Sequence, residues 1–276
     1  MPGTRNANEH KMKWIFSLTK NKKIERFLFT YSLQPIMPLV YVITGASRGI
    51  GLELVRQIAE KGNIVFACAR NPEASKDLQK IVDNKRVFSI KLDTLNKDSI
   101  TAAAKEVEQH APEGVDVLIN NAGIGSNESI DCETVTDEIL LKSFETNVCG
   151  TSNVTQAFLP LMRKRGEEKP KKIVNTSSIL GSLTHVNKYM PNGSKIDYSI
   201  SKAALNMLTR VTSQKLAKEN FIVYASHPGW VKTDMGGDDA PIELKDSVAG
   251  QIAKLESATC EDNGGYFDFE GERLPW

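Results

Sequence analysis

From Leu39 onward, short runs of β-branched and other apolar residues alternate with longer stretches whose apolar positions recur every three or four residues. This alternation predicts βαβ units and a parallel sheet. Leu39 to Thr44 reads as a first strand, followed by a helix from Arg48 to Lys61 that buries Ile50, Leu54, Val55 and Ile58. Gly62 stands where a left-handed helix cap is needed. Ile64 to Ala69 predicts a second strand, Pro72 suits the first turn of a helix, and Val87 to Lys91 predicts a third strand. Asn96 or Asp98 is expected to cap the helix that runs toward His110.

Val115 to Asn120 predicts a fourth strand, an apolar run broken by one Asp and ending in Asn120, as expected when both faces of a sheet are covered. A long helix is expected from Thr136 through Asn147 toward Arg165, and the charged stretch Lys164 to Lys172 makes a solvated connection. Lys172 to Ser177 then predicts a fifth strand, Tyr198 to Glu219 a helix, and Ile222 to Ser226 a sixth strand. Asp246 to Leu255 reads as a helix and Gly265 to Phe269 as a last strand.

Composition narrows the classes of function. At 276 residues, 40% hydrophobic and 25% charged, the chain can bury a large core in one α/β domain. The 35 Lys and Arg nearly balance the 34 Asp and Glu, so no global field draws the protein to nucleic acid or anionic lipid, and its ligand must be recognised locally. Cys68, Cys132, Cys149 and Cys260 form no C-x-x-C pair, which argues against zinc or a disulfide framework and for a reducing compartment such as the cytoplasm. The histidines lack metal-ligand spacing. No run of eighteen apolar residues predicts a membrane span. Residues 1–36 form a basic, partly apolar extension, expected to be a disordered tail; a mitochondrial presequence and a start at Met37 are the other readings.

Two local patterns carry chemistry. Tyr198 and Lys202 lie four apart on a predicted helix, which stacks them on one face. A neighbouring cation favours phenolate and is expected to draw the phenol below its usual value of about 10. The second pattern, Thr44-Gly-Ala-Ser-Arg-Gly-Ile-Gly51, is a glycine-rich turn between the first strand and helix. There backbone amides can approach phosphate oxygens, and the helix N-terminus adds partial positive charge.

The spacing of Gly45, Gly49 and Gly51 resembles the short-chain dehydrogenase/reductase family. Further motifs follow in that family's order: Asn120-Asn-Ala-Gly123, Asn147, Ser177-Ser178, Tyr198 with Lys202, and Pro228-Gly-Trp-Val-Lys-Thr-Asp-Met235. The wording of His227 to Gly237 and the closing Leu274-Pro-Trp276 look like the branch that holds the sniffer carbonyl reductase, the C-signal protein and fungal ketoreductases. The resemblance implies a single-domain Rossmann-like fold over residues 37–276, a doubly wound parallel sheet of about seven strands with helices on both faces. It also implies an NADPH-dependent reductase of an aldehyde, ketone or quinone. A nucleotide-binding signalling protein with little turnover is the alternative, and subunit pairing through the two long helices, as a homodimer or homotetramer, is compatible with either.

Residue by residue, the resemblance assigns Gly45, Ser47, Arg48, Gly49, Ile50 and Gly51 to the cofactor phosphates and Asp93 to the adenine or a turn. Asn120 ties strands together, Ala122 and Gly123 give the cofactor room, and Pro228, Gly229, Val231 and Thr233 lie by the nicotinamide. Arg48 and Arg70 put positive charge where a 2′-phosphate requires it, with no carboxylate expected to compete, so NADP(H) is the expected cofactor. Asn147, Ser178, Tyr198 and Lys202 match the catalytic tetrad. Tyr198 is the acid, Ser178 binds the same oxygen, Lys202 lowers the phenol and binds ribose, and Asn147 holds a water. Ser177 rivals Ser178 for its role. The distance from Ser178 to Tyr198 is longer than is usual in the family, and the added residues, among them His185, Tyr189 and Met190, are expected to border the substrate.

Overall fold

A computed structural model describes residues 37–126, 130–190 and 192–276; the expected basic extension, 1–36, lies outside them. Seven strands form one parallel sheet: β1 (Val40–Thr44), β2 (Ile64–Ala69), β3 (Val87–Lys91), β4 (Val117–Asn120), β5 (Lys171–Thr176), β6 (Phe221–His227) and β7 (Tyr266–Asp268). Their order across the sheet is β3-β2-β1-β4-β5-β6-β7, so the winding reverses between β1 and β4. In open α/β sheets such a reversal opens a crevice at the carboxyl ends of the strands.

The helices are α1 (Gly49–Glu60), the short α2 (Lys76–Gln79), α3 (Lys97–His110), α4 (Asp137–Phe144), α5 (Thr151–Arg163), the short α6 (Val186–Tyr189), α7 (Ile196–Leu216) and α8 (Leu244–Ser257). Strand alternation sorts the core into two layers. Tyr41, Ile43, Val65 and Ile119 pack against Leu54, Val55 and Ile58 of α1 and Val248 and Ile252 of α8. Val42, Phe66, Leu118 and Ile173 face Ile100, Ala103 and Val107 of α3 and Val154, Phe158 and Met162 of α5. Asn96 caps α3, its side chain accepting from Ser99 N, and Ser75 caps α2 in the same way through Leu78 N.

Three expectations are corrected. The long helix from Thr136 is not continuous: a π turn, Glu145–Gly150, separates α4 from α5. There the Asn147 side chain bonds to the Ile124 backbone, and the Thr146 and Thr151 hydroxyls donate to the carbonyls four residues back, favouring a widened turn. β4 begins at Val117 rather than Val115, because Val115 N donates to Leu161 O outside the sheet. After Pro72 the chain makes a 3-10 turn before α2.

A buried polar ladder crosses the sheet near its functional end. Asn120 Nδ2 on β4 donates to Thr155 Oγ1 of α5 (3.0 Å) and to Asn175 Oδ1 of β5 (2.9 Å). Asn175 Nδ2 then donates to Thr209 Oγ1 of α7 (2.8 Å). Two helices and two strands are thereby locked in register, the strand-tying part expected of Asn120. Removing that amide in Asn120→Ala strands buried partners and is expected to cost about 1–3 kcal/mol. A thermal melt checks this, with a midpoint about 3–10 °C lower expected.

Candidate active site

The glycine-rich turn sits at the carboxyl end of β1, beside the reversal. Gly45 and Gly49 have φ of 67° and 54°, in the region where side chains are strained. Gly51 is pressed onto the turn itself: a Cβ there would lie 2.2 Å from the Gly45 carbonyl oxygen. Arg48 is the N-cap of α1 with extended backbone and no side-chain cap bond, which leaves the first amides of the helix, at Gly49, Ile50 and Gly51, available to an anion. Ser75 Oγ donates to Ser47 O (2.6 Å) and braces the turn from outside.

The turn is joined to the end of β4 by Thr44, whose hydroxyl accepts from the amides of Asn121 and Ala122, both at 3.0 Å. Asn121 Nδ2 donates back to the Thr44 carbonyl (3.0 Å). Sequence reasoning passed over Thr44 and Asn121, although Thr44 opens the glycine motif. Gly123 lies at the meeting point of two tetrad residues. A Cβ on it would come 3.0 Å from Asn147 Oδ1 and 3.6 Å from Lys202 Nζ.

Asn147, Ser178, Tyr198 and Lys202 come from three different parts of the fold: the π turn, the turn after β5, and α7. Asn147 is fully buried in the π turn, its Oδ1 accepting from Ile124 N and its Nδ2 donating to Ile124 O and Ser201 Oγ, each at 2.9 Å. Ser178 follows β5, and its hydroxyl lies close enough to that of Tyr198 to act on its charge. Ser177, its rival, instead donates to Asn206 Oδ1 (2.6 Å). Tyr198 and Lys202 share a face of α7, the ammonium lying 5.5 Å from the phenol ring centre. Lys202 is 4% exposed and donates to the Thr176 carbonyl at 2.7 Å.

Electrostatics here corrects one expectation. Burial pushes the Tyr198 hydroxyl up to about 12, with the Ser178 bond pulling against it, so the phenol is protonated at neutral pH. The ring keeps a partly exposed edge. Burial also brings the Lys202 ammonium down to about 8. His227 ends β6 as a neutral ring, lowered to about 4 by burial.

Around the crevice, Arg70 directly follows β2 and is exposed. Arg48 does meet a carboxylate, against expectation: its Nη1 lies 3.2 Å from Asp234 Oδ2. At 78% and 76% side-chain exposure the pair is screened by water and easily parted. Asp93 folds onto its own turn, Oδ1 accepting from Leu95 N (3.0 Å). After β6, Ser247 Oγ holds the Pro228 carbonyl and Gly229 turns with φ 84°. Val231 is buried, and Thr233 accepts from Gly236 N while its methyl faces Gly49. The loop after β6 thus closes against the glycine turn. Of the insertion after Ser178, Met190 is buried against Ser199 and His185 packs edge-on to Tyr189. Among the described residues no cluster of His, Cys, Asp or Glu is arranged to hold a metal ion, and no helix is long and apolar enough to cross a membrane.

Comparison with known proteins agrees with this geometry. An uncharacterized oxidoreductase of Schizosaccharomyces pombe is 38% identical over 256 residues, 86% of this chain and 98% of its own. The C-signal protein of Myxococcus xanthus is 38% identical over 162 residues, 59% of this chain and 93% of that protein. Among solved structures, an NADPH-bound carbonyl reductase from chicken fatty liver has a TM-score of 0.82 at 32% identity, covering 87% of this chain and 100% of that one. The carbonyl reductase Sniffer of D. melanogaster has a TM-score of 0.81 at 31% identity, with the same coverage. A short chain dehydrogenase family model matches residues 39–242, and with the crevice, glycine turn and Tyr198/Lys202 pair in place, the chain belongs to that family of oxidoreductases.

Proposed function

We propose that this protein is an NADPH-dependent carbonyl reductase of aldehydes, ketones or quinones, with Tyr198 as its general acid. The observation that carries the reading is the Tyr198 phenol ring set beside the buried Lys202 ammonium on one face of α7, with the Ser178 hydroxyl acting on the phenol. A phenol kept protonated by burial suits the reductive direction, since the acid must hold its proton when the carbonyl arrives.

The chain's residues fit a dinucleotide. The uncapped amides of α1 with Gly45, Ser47, Gly49, Ile50 and Gly51 suit a diphosphate, while Arg48 and Arg70 suit a 2′-phosphate at the end of a strand that lacks an acid. Asp93 and Ala122 border the adenine side. Gly123 and Lys202 suit the nicotinamide ribose, and Pro228, Gly229, Val231 and Thr233 the ring amide; Asn120 serves by fixing β4. The NADPH bound by the chicken relative supports the cofactor choice.

When bound, NADPH supplies the hydride. Tyr198 delivers the proton to the carbonyl oxygen, giving the alcohol, and the Ser178 hydroxyl holds that oxygen and stabilises the charge that grows on it. Lys202 keeps a positive charge beneath the phenol as the proton leaves. Asn147 fixes Ile124 and leaves Lys202 a polar neighbour through which a water can return the proton. The C-signal relative supports a second reading as a signalling protein; the presence of all four tetrad residues, with Asn147 and Lys202 buried and held by hydrogen bonds, favours turnover. Exposed Met207 and Val211 on α7 beside a groove lined by Gln156, Leu159 and Leu208 support subunit pairing through α5 and α7. All four cysteines are free, which supports a reducing compartment such as the cytoplasm.

Three measurements test the reading. NADPH oxidation with a panel of aldehydes, ketones and quinones is expected to slow about 10²–10⁴-fold in Tyr198→Phe; equal rates in both proteins reject Tyr198 as the acid. Arg48→Ala combined with Arg70→Ala is expected to raise the NADPH KM at least about ten-fold, from lost charge-assisted bonds, and to leave the NADH KM in place. An unchanged NADPH KM rejects the 2′-phosphate assignment. Finally, kcat/KM for reduction is expected to fall as pH rises through about 8, where Lys202 loses its proton, while Tyr198, near 12, stays protonated throughout. A flat profile from pH 7 to 9 removes the charge of Lys202 from the mechanism.

A further inference from the structure

The loop that carries Ser178 is held from two sides, and one of them lies outside the tetrad. Ser178 opens a single 3-10 turn, Ile179–Gly181, with its carbonyl accepting from Gly181 N (2.8 Å) and its Oγ from Leu180 N (3.3 Å). On the inner side Gly181 is pressed onto α7: a Cβ there would lie 2.7 Å from the Lys202 carbonyl carbon, and the Gly181 carbonyl accepts from Asn206 Nδ2 (3.1 Å).

On the outer side stands the segment 274–276. Ser182 is fully buried and its Oγ donates to Pro275 O at 2.8 Å. Thr184 donates twice to the Trp276 backbone oxygen, from its amide (3.1 Å) and its hydroxyl (2.8 Å). The Trp276 indole is stacked on Tyr266, ring centres 5.2 Å apart and planes 14° from parallel, and Leu274 N donates to Tyr266 O (2.8 Å). Tyr266 is itself enclosed: it lies in β7 and is 1% exposed. A buried aromatic in the sheet therefore seats an indole, whose backbone takes hold of the loop that starts at Ser178.

We propose that Trp276 is a positioning residue for carbonyl reduction, holding the Ser178–Thr184 loop so that the Ser178 hydroxyl meets both Tyr198 and the substrate oxygen. This inference rests on the function proposed above. Trp276 keeps 36% of its surface exposed, so its truncation opens a surface notch rather than a closed cavity, and the effect falls on the loop. A reacting group displaced by about 1 Å can lose about 10²-fold in rate.

The test uses the full chain with NADPH and whichever carbonyl of the panel is reduced fastest, comparing Trp276→Ala, Trp276→Phe, Ser178→Ala and the Ser178→Ala/Trp276→Ala double variant. Trp276→Ala is expected to lower kcat/KM about ten-fold or more, mainly through kcat, with the NADPH dissociation constant unchanged. Amide exchange at Gly181 and Ser182 should quicken in the same variant. Trp276→Phe keeps a stacking ring and should restore most of the rate. In the Ser178→Ala background the loss of Trp276 should cost nothing further, because it acts through that hydroxyl. Wild-type kcat/KM in Trp276→Ala, or losses that multiply in the double variant, overturn the inference. Should Trp276→Ala fail to fold, Ser182→Ala combined with Thr184→Val removes both hydroxyl contacts to the segment from the loop side, and a wild-type rate in that variant overturns it equally. No reduction of any carbonyl of the panel by the wild-type protein rejects the proposed function itself, whereas full activity in Ser178→Ala, or a slow Ser178→Ala beside a fast Trp276→Ala, rejects only the clamp.

Discussion

The arrangement turns on one cation kept in a place that disfavours it. Lys202 is almost wholly enclosed, and enclosure lowers the affinity of its amine for the proton. Against this stand a carbonyl at the end of β5, a phenol ring on the same helix face and the buried amide of Asn147 nearby. Each partner belongs to a different element. The end of β5, the first turns of α7 and the π turn must therefore keep their mutual distances, or the charge escapes to solvent.

Apolar packing alone sets such distances loosely, since it has no direction. The polar ladder through Thr155, Asn120, Asn175 and Thr209 supplies direction immediately behind the site. Thr44 does the same between the ends of β1 and β4. Hydrogen-bonded networks in a low-dielectric interior are strong when fully matched, and these run along the carboxyl edge of the sheet, where alignment matters to chemistry.

Much of this was legible in the chain. The second and third strands lie where the apolar runs put them, Asn96 caps its helix, and residues of distant motifs meet: Gly45 with Ala122, Gly49 with Thr233, and Gly123 with Asn147 and Lys202. Less legible were features decided by neighbours remote in sequence. The π turn is one of these, since Asn147 at its centre bonds the Ile124 backbone and the Ser201 hydroxyl, partners that no local pattern announces. Asp234 reaches Arg48 only after β6 has come beside β5 and the following loop has folded back over the glycine turn. The direction of the Tyr198 shift was misread because the spacing announces the cation, while the depth of burial that outweighs it is a property of packing. Thr184 and Ser182 gave no signal at all, their partners being backbone oxygens rather than side chains.

The contact of Gly51 with the Gly45 carbonyl has a consequence of its own. A turn already collapsed onto itself, with Thr44 and Ser75 bracing either flank, has little conformational freedom left to surrender when a ligand arrives. Nucleotide association should therefore proceed close to lock-and-key on the diphosphate side. Whatever induced fit accompanies binding is left to the far rim of the crevice, in the segments after Ser178 and after Val231.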